Sequence, residues 1–214
     1  VSAINVAIRA FSNPGDKVII QQPVYDPFAE LIKKTGRVMV NNGLICNDGL
    51  YEMDFPLLEE QAADPDAKIM ILCSPHNPVG RVWTKEELAR VGEICKKNNV
   101  LVIADEIHSD LVYAGYVHTP FALASDAPHL LCTSLGKTFN VAGLRLANIF
   151  SSSAELKKQY DQEIDAYSYS ASNTFGLEMV QAAYSPEGEA WLEELLVYLQ
   201  GNVEVCLLYT SPSP

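Results

Sequence analysis

The chain has 214 residues, of which 48% are hydrophobic and 20% are charged, a composition typical of a globular protein with a sizeable core. Its formal net charge of -12 argues against nucleic-acid binding, because that activity depends on a basic surface. No apolar run reaches the length of a membrane span, and no signal peptide is recognisable from Val1 onward.

The predicted strands are six short apolar runs, and their mostly continuous hydrophobicity is typical of strands covered on both faces. They comprise residues 18–20, 38–40, 69–72, 101–104, 130–132 and 148–150. Between them lie amphipathic segments that predict helices, one from residue 24 or 25 to residue 34 and one over residues 84–98. The second begins with a capping box formed by Thr84 and Glu87. This alternation predicts an α/β fold with a mostly parallel sheet flanked by helices.

The C-terminal third differs from the rest. Residues 154–202 predict a pair of helices with a break at residues 185–188, and from residue 206 the sequence changes to a Ser/Pro tail without periodicity. We expect three segments: a sheet domain over 1–152 whose N-terminal part is missing, helices over 153–205 that complete it and lead to a truncated second domain, and a disordered or foreign tail over 206–214. The chain is therefore expected to be a fragment.

The cysteines lie far apart, and none belongs to a CxxC pair. Because their number is odd and most lie in apolar strand-like runs, we expect buried free thiols. This usage favours a reducing compartment, and we expect a cytoplasmic protein. The five are Cys46, Cys73, Cys95, Cys132 and Cys206.

Open α/β sheets bind ligands at the carboxyl ends of their strands, so the polar residues that follow each predicted strand are candidates for a site. Tyr25 follows the first strand and could stack on a flat heteroaromatic ring, or simply pack at the start of a helix. Asn77 lies between prolines in SPHNPVG and could donate a hydrogen bond to a ring oxygen, or simply form a turn.

Asp105 directly follows four aliphatic residues, where a carboxylate is costly unless a cation pairs with it, and a protonated pyridine nitrogen would be such a cation. His108 could reach an oxygen of the same ring, or serve as a structural histidine. A metal site formed by Asp105, Glu106 and His108 is a further alternative, but no HExxH or CxxC motif accompanies it.

The run 134–145, SLGKTFNVAGLR, provides the remaining groups. Lys137 follows a buried strand, where its ammonium would be partly desolvated, and it could hold an aldehyde cofactor as a Schiff base. Ser134 and Arg145 could bind the phosphate of that cofactor. Lys137 alone could equally be a surface lysine. Together with the groups after the other strands, it predicts a pyridoxal 5'-phosphate (PLP) site.

The phrases PVYDPF (23–28), SPHNPVGRVW (74–83), DEIHSD (105–110) and KTFNVAG (137–143) resemble fold-type-I PLP enzymes of the class I/II aminotransferase superfamily. More narrowly they are similar to the MalY/PatB family of cystathionine β-lyases, also called cysteine-S-conjugate β-lyases. The resemblance runs from the first residues to about residue 205. It implies a homodimer, an N-terminal phosphate-binding loop and a C-terminal domain with the arginine that binds the substrate carboxylate, both outside this chain.

The resemblance also implies a role for each candidate. Lys137 is the Schiff-base lysine and the acid/base, Asp105 pairs with the pyridine nitrogen, and Tyr25 stacks on the ring. Asn77 binds the phenolate oxygen, which His108 also faces. Ser134 and Arg145 bind phosphate, while Gly136 stands where many relatives carry a serine.

The activity implied is β-elimination from cystathionine or a related cysteine thioether, which yields a thiol, pyruvate and ammonia. A class I/II aminotransferase and a catalytically silent PLP-fold protein that binds a partner remain alternatives. Neither membrane nor nucleic acid is an expected partner. We expect the 214-residue chain alone to show weak activity or none.

Overall fold

A computed structural model describes residues 1–167 and 173–210 and places a six-stranded sheet at the centre of the chain. All six predicted strands are confirmed. Their order is β2-β1-β5-β6-β7-β8, and every neighbouring pair is parallel except β7 and β8. The strands are β1 (Lys17–Ile20), β2 (Val38–Asn41), β5 (Ala67–Cys73), β6 (Leu101–Asp105), β7 (His129–Thr133) and β8 (Asn148–Ser151).

A hairpin outside the sheet was not predicted. Its strands, β3 (Ile45–Asn47) and β4 (Leu50–Glu52), have three residues each, and their side chains are mostly exposed. Strands this short and this open leave no apolar alternation from which a sequence could predict them.

The helices cover both faces of the sheet. They are α1 (Ser2–Phe11), α2 (Pro27–Lys34), α3 (Phe55–Ala62), α4 (Lys85–Lys97), α5 (Phe121–Ala124), α6 (Leu135–Thr138), α7 (Ala154–Ala166), α8 (Thr174–Ala183) and α9 (Pro186–Thr210), with a 3-10 helix at Ala142–Leu144. The capping box is confirmed, because Thr84 Oγ1 accepts from the Glu87 N–H and the Glu87 carboxylate accepts from the Thr84 N–H. The α/β fold is also confirmed.

Successive strand residues point to opposite layers of the core, as the period of a strand requires. Ile69, Ile71 and Ile103 pack with α1, α2 and α7, while Met70 and Val102 pack with α3, α4 and α5. The central strands are therefore covered on both faces, which explains their continuous apolar sequence.

The C-terminal helices differ from the prediction. Instead of one pair, the described residues 154–167 and 173–210 contain three helices, and α9 continues through Cys206 to Thr210. A change of structure at residue 206 is thus not found, and residues 211–214 lie outside the described chain. The predicted break is real, since α8 ends at Ala183 and α9 begins at Pro186. Within the described chain, no helix is long and apolar enough to cross a membrane.

Candidate functional site

Asp105 is the last residue of β6, and the parallel register places it level with a thiol on each side. Its neighbours are Cys73 on β5 and Cys132 on β7. Only 9% of Asp105 is exposed, and its carboxylate accepts one long hydrogen bond, from the Ile107 N–H at 3.3 Å. Burial raises the pKa of Asp105, and the hydrogen bond from the Ile107 N–H and the positive charge of Lys137 oppose that rise. Asp105 is thus a buried carboxyl group with little local stabilisation of its charge.

Tyr25 and Asn77 meet in one open cavity of about 600 Å³, which lies between the loops that follow β1 and β5. The ring of Tyr25 is half-buried and meets Phe28 edge to face, with 5.6 Å between the ring centroids. Tyr25 precedes α2, so the helix predicted from residue 24 or 25 begins two or three residues later than expected, at Pro27. One face of this cavity therefore carries an aromatic ring and an amide.

The position of Asn77 is fixed through its backbone. The Asn77 N–H donates to Cys73 Sγ at 3.4 Å, and the same sulfur lies 3.4 Å from the carbonyl oxygen of Pro75, to which it donates. The side-chain amide of Asn77 has no hydrogen-bond partner among the described residues. It is half-buried and can still bind a ligand oxygen.

His108 shares a second cavity, of about 650 Å³, with Asn77. Burial, followed by the positive charge of Lys137, lowers the pKa of His108, so the imidazole is neutral near pH 7. A neutral ring can donate one hydrogen bond and accept another. The structure therefore brings His108 and Asn77 together in one cavity.

Glu106 turns away from this group of residues. Its carboxylate accepts from the Phe121 N–H at 2.7 Å and lies 2.9 Å from His118 Nε2. These two contacts hold the loop after β6 against the start of α5. Across residues 1–167 and 173–210, no three His, Cys, Asp or Glu side chains are grouped as metal ligands. The metal alternative built on Asp105, Glu106 and His108 therefore has no geometric support.

Lys137 lies in the short helix α6, and its side chain is exposed. The partial burial expected for its ammonium is not seen in the described chain. The adjacent Thr138 is buried and donates from Oγ1 to Asp110 Oδ2 at 2.9 Å. This bond ties the turn that carries Lys137 to the loop that carries His108.

Ser134 caps α6. Its Oγ accepts from the Gly136 N–H at 3.0 Å and donates to the Leu146 carbonyl at 2.6 Å. A Cβ on Gly136 would lie 3.1 Å from Ser134 Oγ and 3.3 Å from Ala142 Cα, so this close turn leaves little room for the serine of many relatives. To donate to a phosphate, Ser134 has to release Leu146.

Arg145 follows the 3-10 helix and has left-handed backbone angles, φ 51° and ψ 41°. That conformation is strained for a residue with a Cβ. The side chain is exposed, and no described carboxylate forms an ion pair with it. Arg145 and Lys137 thus place two exposed positive charges on the turns that follow β7, and the charge of Lys137 acts on the buried Asp105.

Three interactions of the site were not predicted: Glu106 with His118, Thr138 with Asp110, and the bond between His76 and the Pro23 carbonyl. In the first, a second acidic residue directly after Asp105 was the only sequence signal. The other two join residues that are 28 and 53 positions apart, and no local pattern indicates such contacts.

The layered sheet, with its polar carboxyl edge, defines the fold class of PLP-dependent transferases. The chain belongs to the aminotransferase class I and II family, whose model matches residues 1–207.

Curated relatives include cystathionine beta-lyase PatB of Bacillus subtilis, 40% identical over 99% of this chain and 55% of its own length. Protein MalY of Escherichia coli is 33% identical over 94% of this chain and 51% of its own. Among solved structures, cystalysin of Treponema denticola, which contains PLP, has a TM-score of 0.91 at 36% identity over 95% of this chain and 52% of its own. The PLP-bound C-S lyase of Staphylococcus hominis has a TM-score of 0.88 at 34% identity, over 97% of this chain and 53% of its own. The chain spans about half the length of these relatives.

Proposed function

We propose that the chain is the PLP-binding part of a C–S β-lyase that acts on cystathionine or a related cysteine thioether. The observation that carries the proposal is Asp105, a buried carboxyl group with one long hydrogen bond. A protonated pyridine nitrogen supplies the cation that this carboxyl group lacks. The names of the relatives, cystathionine beta-lyase and C-S lyase, support the reaction class.

The remaining groups fit the other parts of the cofactor. The Tyr25 ring provides an aromatic surface, and the Asn77 amide and His108 can bind the ring oxygen. Arg145 and Ser134 bind the phosphate, for which an exposed guanidinium without an ion-pair partner among the described residues is suited. Lys137 supplies the amine for covalent attachment.

When bound, the cofactor supplies an electron sink that lets the Cα–H bond of the substrate break. Asp105 keeps the ring nitrogen protonated, and Asn77 and His108 orient the ring. Lys137 then accepts the Cα proton at Nζ. The thiolate leaves from Cβ, and the remaining three-carbon product hydrolyses to pyruvate and ammonia.

An aminotransferase is the second candidate, because matched relatives include kynurenine--oxoglutarate transaminase 3 of Rattus norvegicus, 35% identical over 150 residues. In that reaction the amino group of the substrate would be transferred to a keto acid, and no bond at Cβ would break. Assays of the full-length protein separate the two: pyruvate from cystathionine supports the lyase, and amino transfer that depends on a keto acid supports the aminotransferase. A catalytically silent PLP-fold protein that binds a partner is the third candidate. It requires that PLP, added to the full-length protein, gives no visible absorbance band.

Attachment at Lys137 tests the proposal on the chain itself. We expect PLP followed by borohydride to label one peptide, that of Lys137, and the label to disappear in Lys137→Ala. Lys85→Ala is the matched control, because Lys85 is an exposed lysine at the start of α4. Labelling spread over several lysines, or unchanged in Lys137→Ala, contradicts the assignment.

The proposal also covers the localisation, oligomeric state and domains of the full-length protein. We infer that the full-length protein is a cytoplasmic homodimer in which residues 1–152 form most of the large domain. Residues 153–205 complete that domain and lead to a second one. Size measurement of the full-length protein tests the dimer.

A further inference from the structure

His76 is buried between the two loops that carry Tyr25 and Asn77. Only 2% of the residue is exposed, and its Nε2 lies 3.0 Å from the Pro23 carbonyl oxygen. On its other side the ring meets Trp83 edge to face, with 5.5 Å between the centroids. The imidazole thus spans the space between the loop after β1 and the loop after β5.

The hydrogen bond to Pro23 determines the tautomer. A carbonyl oxygen can only accept, so Nε2 carries the proton and donates it. Burial lowers the pKa of His76, and the positive charge of Arg81 acts in the same direction. The ring is therefore neutral at pH 7, with a single donor directed at Pro23.

The backbone of His76 is equally well held. Its N–H donates to the Arg81 carbonyl at 2.8 Å, and its carbonyl accepts from the Gly80 N–H at 2.8 Å. The indole N–H of Trp83 donates to the Cys73 carbonyl at 2.9 Å. The loop after β5 is therefore internally braced, and His76 Nε2 is its side-chain link to the Pro23 carbonyl.

That link joins the two groups of the proposed site that face the cofactor ring. Tyr25 is two residues beyond the acceptor Pro23, and Asn77 directly follows the donor His76. Both side chains line the same 600 Å³ cavity. A change in the distance between the loops would alter the gap between the aromatic surface and the amide.

We propose that His76 is a positioning residue, which fixes the spacing of Tyr25 and Asn77 by donating its Nε2 proton to the Pro23 carbonyl. The inference rests on the proposed function only for the identity of the ligand, PLP. The hydrogen bond between His76 and Pro23 and the spacing of the two loops do not depend on it. In this proposal His76 acts through Tyr25 and Asn77 and is assigned no contact of its own with cofactor or substrate.

The variants are chosen to separate the hydrogen bond from packing. In His76→Leu the donor is lost and apolar volume is retained, whereas in His76→Gln an N–H donor is kept at similar reach. His129→Leu is the matched control: His129 is also buried, donates from Nδ1 to a carbonyl, that of Ala127, at 2.8 Å, and meets Phe121 edge to face. His129 is the first residue of β7, so it lies at the amino end of its strand, whereas His76 follows the carboxyl end of β5.

The first measurement needs no cofactor. Nitrogen-15 NMR of the chain should show His76 as the neutral Nε2–H tautomer. Amide hydrogen exchange of Tyr25 and Asn77 should be faster in His76→Leu than in His129→Leu, and close to wild type in His76→Gln. An Nδ1–H tautomer, or equal exchange in the two leucine variants, overturns the proposal.

The second measurement is titration with PLP, followed by absorbance. We expect His76→Leu to weaken binding about tenfold and to shift the absorbance maximum, with both restored in His76→Gln and unchanged in His129→Leu. Equal affinity and spectrum in His76→Leu and wild type overturn the inference. If wild type binds no PLP, the proposed function fails while the exchange experiment still decides the role of His76.

Discussion

The two sides of the candidate site are built differently. On one side, Asp105 ends a strand of the central sheet, and Asn77 and Tyr25 lie in loops that follow two others. Buried groups such as His76 and Trp83 support this side. On the other side, Lys137 and Arg145 lie on short helical turns with exposed side chains. The side that faces the ring is therefore pre-organised by the core, whereas the cationic side depends on local turns.

Because of this difference, we expect substitutions on the two sides to affect stability and ligand binding in different ways. Substitutions on the sheet side should change both the free energy of unfolding and ligand binding, because the same contacts serve both. Substitutions on the cationic side should change binding with little effect on stability. Substitutions at four residues test this contrast, from the largest expected change in stability to the smallest.

Trp83→Ala should lower the free energy of unfolding by about 3–5 kcal/mol, because it leaves a cavity and removes the hydrogen bond to the Cys73 carbonyl. Urea unfolding followed by circular dichroism measures this change. Tyr198→Ala, at a side chain on α9 that is 67% exposed, is the control and should change stability by less than about 0.5 kcal/mol. Similar losses of unfolding free energy in the two variants would contradict the tight packing of the sheet side.

Asp105→Asn should raise the free energy of unfolding of the cofactor-free chain at pH 7 by about 1–3 kcal/mol, since it removes a buried and poorly paired charge. The same change should weaken PLP binding. Burial raises the pKa of Asp105 in the folded chain above the unfolded value of 3.8, so the ionised form costs stability as the pH rises through the folded pKa. The advantage of Asp105→Asn should therefore vanish near pH 3 and grow toward pH 7, and an advantage that does not vary with pH would contradict this cause.

Arg145→Gly and Arg145→Ala should weaken PLP binding equally, because both lose the guanidinium. They should differ in stability by about 1 kcal/mol in favour of glycine, since only glycine adopts the left-handed backbone without strain. Thermal unfolding of the two variants measures the difference. Equal stability would show that the turn relaxes around the methyl group of the alanine variant.

Lys137→Gln should change the free energy of unfolding by less than about 0.5 kcal/mol, because the side chain is exposed. It should nevertheless abolish borohydride-stable labelling by PLP. Denaturant unfolding and peptide mapping of one preparation give both results. A large loss of stability would place Lys137 with the residues of the sheet side.

The sequence predicted the parts of the site that follow from a strand and its end. A carboxylate after four aliphatic residues is unusual enough to mark Asp105, and the prolines around Asn77 mark its loop. The exposure of Lys137 was not predictable, because it depends on which other segments cover α6. The link from His76 to Pro23 was missed for a similar reason, since it joins two loops that only the parallel order of β1 and β5 brings together.

The thiols on either side of Asp105 have a practical consequence. Burial raises the pKa of Cys73, Cys95 and Cys132 to about 12, whereas Cys46 and Cys206 are exposed. Only the thiolate reacts with alkylating reagents, so the exposed pair should be modified within the first minutes and the buried three only when the sheet opens. The rate of that later alkylation at Cys73 and Cys132, read by mass spectrometry, would report how often the strands around Asp105 unfold, with no dye or engineered label added to the chain.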